Sequence, residues 1–413
     1  MKFKTKTKEL REAVSSVSRV VSPRSSTPAM SGLYIRVVED FVELIGSDLD
    51  ITIKSRVSVE VDLDGDCLVN SNKLSEIIRK LPEGEVVFSD IGSDLKIETE
   101  TLDFTLRKLE SKDYPEVFLN NHEENENTQE VKVSELFDSL KNVGIASTPE
   151  GGRPILTGIY FNNQGEKTEL AATDSYRLAT QEISNFPIND VGIVSYRSLS
   201  EVIKLFENED EKLKINSNEK DIYFFNDKYF ASLRKVEGTF PQYENLFPKE
   251  TLFTVEINKK EILESLDRAT VVAEGYIPVT FVFENNDLLT ITTLNKDVGG
   301  GKEEIGIKIL GVETGEIKGF KASFNPNFLI QGIEVLEGNT VYMRFSGNEK
   351  PVVIQGDVEN YKYLLMPVRS TWKNKKGLKE LILKKIVWVL ILKNLRRSKT
   401  ILINLHIRGK TIL

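Results

Sequence analysis

Ala171-Ala172-Thr173-Asp174-Ser175-Tyr176-Arg177-Leu178-Ala179-Thr180 returns in altered form on both sides of itself, and that recurrence decides the fold. Upstream, Ile45-Gly46-Ser47-Asp48-Leu49-Asp50 closes a strand-like run in the same way; downstream, Ile291-Thr292-Thr293-Leu294-Asn295 takes the same place. The step from Asp48 to Asp174 is 126 residues and from Asp174 to Asn295 is 121. A helical marker keeps the same period. Leu74, Ile77, Ile78 and Leu81 are spaced i, i+3, i+4, i+7, as are Leu199, Val202, Ile203 and Phe206, and Leu329, Gly332, Ile333 and Leu336. A third marker, Leu106-Arg107-Lys108 with Tyr114-Pro115, returns as Leu233-Arg234-Lys235 with Phe240-Pro241. Three kinds of marker at one spacing indicate a triplicated domain, with a period too long for a solenoid.

Composition agrees. A chain of 413 residues corresponds to two to four domains at roughly 100–200 residues each. Cys67 stands alone, which excludes an intramolecular disulfide and fits a reducing compartment. His122 and His406 are the two histidines, so no His/Cys cluster for zinc can be assembled. No apolar stretch follows Met1, where Lys2, Lys4, Lys6 and Lys8 alternate with other residues, so secretion is not expected. The net charge of −8 hides an asymmetry: residues 371–413 carry nine Lys, three Arg and one Glu, leaving −19 on residues 1–370. An acidic body argues against non-specific coating of nucleic acid, without excluding a locally basic channel.

Along the chain, Lys6–Val21 and Ser71–Leu81 read as helices, and 33–38, 41–45, 50–57, 85–89, 95–99 and 103–108 as strands. Residues 120–128 form a polar, acidic linker. The order then repeats: a helix over Ser134–Ala146, strands at 157–161, 169–172 and 177–182, and a second helix opened by the capping box Ser198-Leu199-Ser200-Glu201. The third copy starts at Asn258-Lys259-Lys260-Glu261, again a cap. Two helices and about eight short strands per copy make an α+β protein with helices on antiparallel sheet. The boundaries expected are 1–120, 129–248 and 252–370, followed by an atypical extension at 371–413.

From Met1 to Arg369 the sequence resembles the bacterial sliding clamps, the DNA polymerase III β subunit family. The most specific motifs are Ala172-Thr173-Asp174-Ser175-Tyr176-Arg177-Leu178-Ala179, Phe240-Pro241 and Tyr363-Leu364-Leu365-Met366-Pro367-Val368-Arg369. The resemblance implies three DNA-clamp domains per chain and a head-to-tail homodimer, a six-domain ring with sheets outside and helices lining the hole. It implies a non-catalytic, cofactor-free protein of the cytoplasm and nucleoid that encircles double-stranded DNA without reading its sequence. Its partners would be the replicative polymerase, the clamp loader and repair polymerases, each bringing a short peptide motif.

Carried over residue by residue, the client-peptide pocket uses Leu156, Thr173, Ser175, Tyr176, Arg177, Leu178, Pro241, Asn245 and Leu246 with Leu364, Met366, Pro367, Val368 and Arg369. Apolar members would take leucine and aromatic anchors, and a flexible Met would reshape the cavity for several clients. Core packing is the alternative for Leu156 and Leu178. DNA contacts are expected from Arg24, Lys73, Arg79, Arg197 and Lys204, with Lys8, Arg11, Lys141, Lys259 and Lys260 as further helix-face cations. A solvated helix face is the alternative for each. Phe104 on one side and Val271-Val272 on the other match family interface positions.

Other chemistry is not supported. Gly299-Gly300-Gly301-Lys302-Glu303 lacks the glycine offset and the Ser/Thr of a phosphate loop and reads as a hairpin loop. Asp48, Asp50, Asp174 and Asp221 fall at strand ends, where Asp closes turns. The tail holds both tryptophans, Trp372 and Trp388, and its longest apolar run, Ile386–Leu392, is short of the about 20 residues that cross a bilayer. Opposite in charge to the body and without a repeat marker, it reads as translation past a lost stop codon or a frameshift. The competing reading is a clamp-like adaptor or decoy redirected by this tail to a membrane surface.

Overall fold

The computed structural model describes residues 1–22, 27–119, 127–149, 152–163, 165, 167–184, 186–207, 212–273, 277–295, 297–311 and 317–368. The tail, Arg24 and Arg369 therefore lie outside the described residues, as does most of the 120–128 linker. The first unit runs β1 (Lys2–Lys6), α1 (Thr7–Ser18), β2 (Gly32–Val38), β3 (Phe41–Ser47), β4 (Ile51–Ser58) and β5 (Glu60–Leu63). It continues through β6 (Gly65–Asn70), α2 (Ser71–Lys80), β7 (Glu85–Asp90), β8 (Asp94–Glu98) and β9 (Asp103–Leu109). The second runs β10 (Gln129–Lys132), α3 (Val133–Gly144), β11 (Gly158–Asn163), β12 (Lys167–Thr173) and β13 (Arg177–Ser184). β14 (Gly192–Ser195), α4 (Tyr196–Phe206), β15 (Lys212–Ser217), β16 (Asp221–Phe225) and β17 (Tyr229–Val236) complete it. The third runs β18 (Phe253–Asn258), α5 (Lys259–Thr270), β19 (Val279–Phe283), β20 (Leu288–Asn295), β21 (Gly299–Gly306) and β22 (Lys308–Leu310). It ends with β23 (Phe320–Phe324), α6 (Pro326–Glu334), β24 (Thr340–Phe345), β25 (Val352–Gln355) and β26 (Tyr361–Leu365).

The expected α+β architecture of two helices on antiparallel strands, three times over, is present. Each helix marker is the buried stripe of its helix: Leu74 and Ile78 in α2, Leu199, Val202, Ile203 and Phe206 in α4, Leu329, Gly332 and Ile333 in α6. The helices of each unit pack together and lie on its sheet, α1 on β3 and β4, α3 on β12 and β13.

Three details differ from the sequence reading. Each unit opens with a strand that runs directly into its first helix. In β1 the alternation is short but present: Phe3 and Thr5 are buried while Lys2 and Lys6 face out. Without a capping side chain, α1 is anchored by Thr7, whose N–H and hydroxyl both donate to the Gly84 carbonyl. The capping box at Ser198 is not used, because β14 feeds α4 from Tyr196 and the Tyr196 N–H donates to the Thr157 carbonyl. Asn258 does cap α5, accepting from the Glu261 N–H at 3.1 Å. The Gly299–Gly301 run is strand rather than loop, paired with Asn295, Leu294 and Thr293 across β20. Where side chains are absent, strand pairing by the backbone alone is enough.

The units join edge to edge. β4 pairs antiparallel with β17, placing Ile51 opposite Leu233 and Ile53 opposite Ala231. β13 pairs with β26, placing Arg177 opposite Leu365 and Ala179 opposite Tyr363. Ile51 and Arg177 each lie three residues past the repeated Asp, so the two junctions share one register. Among the described residues twenty-two strands are thereby connected, while β21-β20-β19-β23 form a separate four-stranded sheet.

Candidate functional site

The second junction is built on the tight turn that links β12 to β13. Asp174 Oδ1 accepts the N–H groups of Tyr176 at 2.8 Å and Arg177 at 3.0 Å, and Thr173 Oγ1 donates to the Arg177 carbonyl at 2.6 Å. This holds Ser175 at φ 78, a left-handed conformation rare for non-glycine residues. The first junction repeats it: Asp48 Oδ1 accepts from Asp50 and Ile51, with Leu49 at φ 81. These carboxylates shape turns. At Asp221 the turn is instead made by Asn218, whose Oδ1 accepts from Lys220 and Asp221.

The turn presents Tyr176, 66% exposed, and turns Arg177 inward to 8%. Arg177 Nε bonds Asp174 Oδ2 at 3.0 Å, and Nη1 reaches the Gln331 side-chain carbonyl and the Tyr363 hydroxyl. Tyr363 donates in turn to the Phe328 carbonyl at 2.9 Å, and burial pushes its phenol well above the ordinary range. The Tyr363 ring fits because residue 332 is glycine: a Cβ there would sit 2.3 Å from it. Arg177 therefore clasps α6 and β26 to the second unit.

Beside the clasp, Leu178 and Leu364 face each other across the β13–β26 pairing, 1% and 2% exposed. They belong to a separate apolar cluster with Ala171, Ile193, Phe240 and Tyr243, against which Ile155, Tyr160, Val236 and Phe247 pack. Phe240 stacks on Tyr160 at 5.0 Å. Tyr243 accepts from Asn162 and donates to Glu169, and desolvation raises its pKa above the ordinary value. Around this floor, Leu246 and Met366 are 49% and 40% exposed. The Met366 N–H donates to the Tyr176 carbonyl at 2.9 Å, and that of Val368 to the Ser323 carbonyl at 2.7 Å.

The structure thus brings Tyr176, Arg177, Leu178, Leu364 and Met366 together at one junction. Thr173 and Leu156 are buried, Ser175, Pro241 and Asn245 are exposed, and Pro367 is half-buried. The sequence reading passed over Ile155, Tyr160, Ile193 and Tyr243; the repeated aromatic-proline pair was the available signal for Tyr243, three residues past Phe240.

On the helices, Arg197 Nη2 bonds Asp48 at 2.9 Å across the first junction. Lys204 pairs with Glu201 at 2.7 Å and Lys73 with Glu76 at 3.3 Å, while Arg79 is exposed with no ion pair among the described residues. Arg11 pairs with Glu83, Lys141 with Glu207 and Lys260 with Glu264; Lys259 donates to the Glu334 and Leu336 carbonyls. The six described helices hold eleven Lys and Arg against ten Asp and Glu. Phe104 is 37% exposed on β9 and Val271 74% exposed after α5. Val272 lines a cavity of about 100 Å³ with Gly301, Ala269, Ile291 and Thr293. Among the described residues no three His, Cys, Asp or Glu gather as a metal site, and no helix is long and apolar enough to cross a membrane.

Three α+β units joined by one repeated strand register, with an apolar site at a junction, define a clamp-type fold. Models of the N-terminal, central and C-terminal domains of the DNA polymerase III beta subunit match residues 1–118, 130–242 and 244–369. The Streptomyces coelicolor beta sliding clamp is 27% identical over 384 residues, covering 89% of this chain and 99% of that protein. The Bacillus subtilis clamp is 26% identical over 389 residues, 90% and 100% of the two chains. Its solved structure superposes with a TM-score of 0.82 at 26% identity, over 90% of this chain and 99% of that one. The chain belongs to the DNA polymerase III beta subunit family, the sliding clamps of DNA replication.

Proposed function

We propose that two copies close head to tail into a ring around duplex DNA and tether the replicative polymerase and other clients through the second-junction cleft. The units would fall at 1–120, 129–248 and 252–370. The observation that carries this reading is a pair of unmatched edges. β4 and β13 each pair with the last strand of the following unit. Among the described residues, their counterpart in the third unit, β21, pairs only with β20, and β9, the last strand of the first unit, pairs with β8 and β6 of its own unit and with no strand of another. Unpaired edges template association, and a second copy supplies what each lacks.

The register follows. Gly46, Ala172 and Thr293 each lie two residues before the repeated Asp or Asn, and pair with Ile53, Ala179 and Gly301. Ile53 and Ala179 oppose Ala231 and Tyr363 of the next unit. Ala231 precedes Leu233 by two, as Phe104 precedes Leu106. The same rule sets Phe104 of one copy opposite Gly301 of the other, over the small cavity beside Val272. The construction supports Phe104 and Val272 as interface residues, with the exposed Val271 next to Val272 in the chain.

Helix charge suits the hole. At eleven cations to ten anions, against −19 for residues 1–370, the helices are less repulsive to phosphate than the rest of those residues taken together, and their exposed ion pairs are weak. Arg24, Lys73, Arg79, Arg197 and Lys204 would be its DNA contacts. The protein would hold by topology, without enzymatic activity of its own, in the cytoplasm at the nucleoid. The membrane-directed adaptor is the weaker reading, since the family match spans all three units. Light scattering of the full chain tests the ring: twice the 46.8 kDa chain mass is expected, and a concentration-independent monomer would overturn it.

A further inference from the structure

The described chain ends at the cleft itself. Met366 and Val368 are bonded to Tyr176 and Ser323, at its edge, and 43 residues follow after Ser370. The relatives do not account for this segment: 89–90% of this chain covers 99–100% of theirs, and the family match stops at 369. Whatever its origin, the segment is covalently attached next to an apolar surface whose rim, Tyr176, Leu246 and Met366, is 40–66% exposed. It carries the apolar run Ile386–Leu392, and its balance of +11 opposes the −19 of residues 1–370.

We infer that residues 371–413 occupy the second-junction cleft as a tethered ligand, with Ile386–Leu392 supplying the apolar anchors, and so compete with client peptides. This rests on the reading of that cleft as a peptide site. Reach is not limiting, since the eighteen residues from Val368 to Ile386 span up to about 60 Å when extended and the site begins where they start. Tethering makes a weak contact sufficient. A ligand on a short linker faces its site at about 1 mM, so a segment with a dissociation constant of about 0.1 mM fills it about tenfold over empty. Added peptide then binds about tenfold more weakly than to an open cleft.

The test is titration of a fluorescein-labelled short peptide with leucine and aromatic anchors into the full chain and into full-length Ile386→Asp/Leu390→Asp. Binding about tenfold tighter to the variant is expected. Equal affinity for both chains overturns tail occupancy while leaving the cleft reading intact. If neither chain binds, the cleft reading fails and this inference with it. A second measurement needs no variant. Trp372 and Trp388 are the only tryptophans, so indole emission reports the tail alone. Unlabelled peptide should raise acrylamide quenching of that emission in the parent chain as it displaces the tail; unchanged quenching at saturating peptide contradicts the proposal.

Discussion

The guanidinium of Arg177 lies 4.1 Å above the ring of Phe328, a residue of α6 in the next unit. With Asp174, Gln331 and Tyr363 around it, this buried cation holds the second junction at a fixed width. Its loss leaves Asp174 without its ion-pair partner and opens space under the cleft. Arg177→Ala is expected to cost about 3 kcal/mol in urea unfolding. Met366→Ala, on the exposed rim, should leave stability within about 0.5 kcal/mol yet weaken added-peptide binding. Equal effects of the two variants on stability would show that Arg177 is not a clasp.

Gly332 tests the same junction from its other side. Because a Cβ there meets the Tyr363 ring, Gly332→Ala should lose about 1–3 kcal/mol through overpacking, although alanine is the better helix former. Gly332→Ala with Tyr363→Leu should recover part of that loss. Absence of recovery in thermal unfolding would mean the strain lies elsewhere.

The proposed ring makes a separable prediction at Gly301. A Cβ at this position meets only Thr293 at 3.4 Å, ordinary contact, so Gly301→Val should leave the single chain folded. It fills the place set for Phe104 of the second copy. Gly301→Val and Phe104→Asp are each expected to raise the dimer dissociation constant at least about tenfold, read by sedimentation. A Gly301→Val dimer as tight as the parent would contradict the register.

At the first junction, Lys54 is 4% exposed beneath Phe230, and desolvation lowers its pKa to about 8. Its folded value lies below the ordinary 10.5, so the unfolded chain binds more protons between these limits and stability rises with pH across about 8 to 10.5. That contribution is full above the upper limit and lost as pH falls through about 8. Lys54→Met should remove this slope and stabilise the chain near neutrality by about 2 kcal/mol. A slope unchanged in the variant would assign the effect to other groups.

What could be read from the sequence follows from the range of each interaction. The repeat, the helix stripes and the Asp turns depend on neighbours within a few residues, and Leu74, Leu199 and Asp174 declare them directly. The opening strands were missed because β1 and β10 are five and four residues long, too short for alternation to stand out beside a helix. The clasp was not legible at all. Arg177 meets Gln331 and Tyr363 across 154 and 186 residues, and only the β13–β26 pairing brings them together. Likewise, the glycines at 299–301 gain meaning only when β21 is found to have an edge left unpaired among the described residues.

Closure around DNA is the central claim, and a covalently sealed ring tests it most directly. Phe104→Cys with Gly301→Cys places one thiol on each side of the proposed seam. Cys67, buried and pushed up to about 12, stays unreactive. Oxidised in the presence of circular plasmid, the double variant should form a disulfide-linked dimer that stays on the circle in high salt and is released when the plasmid is cut. Failure to cross-link, or equal release from circular and linear DNA, would contradict the account.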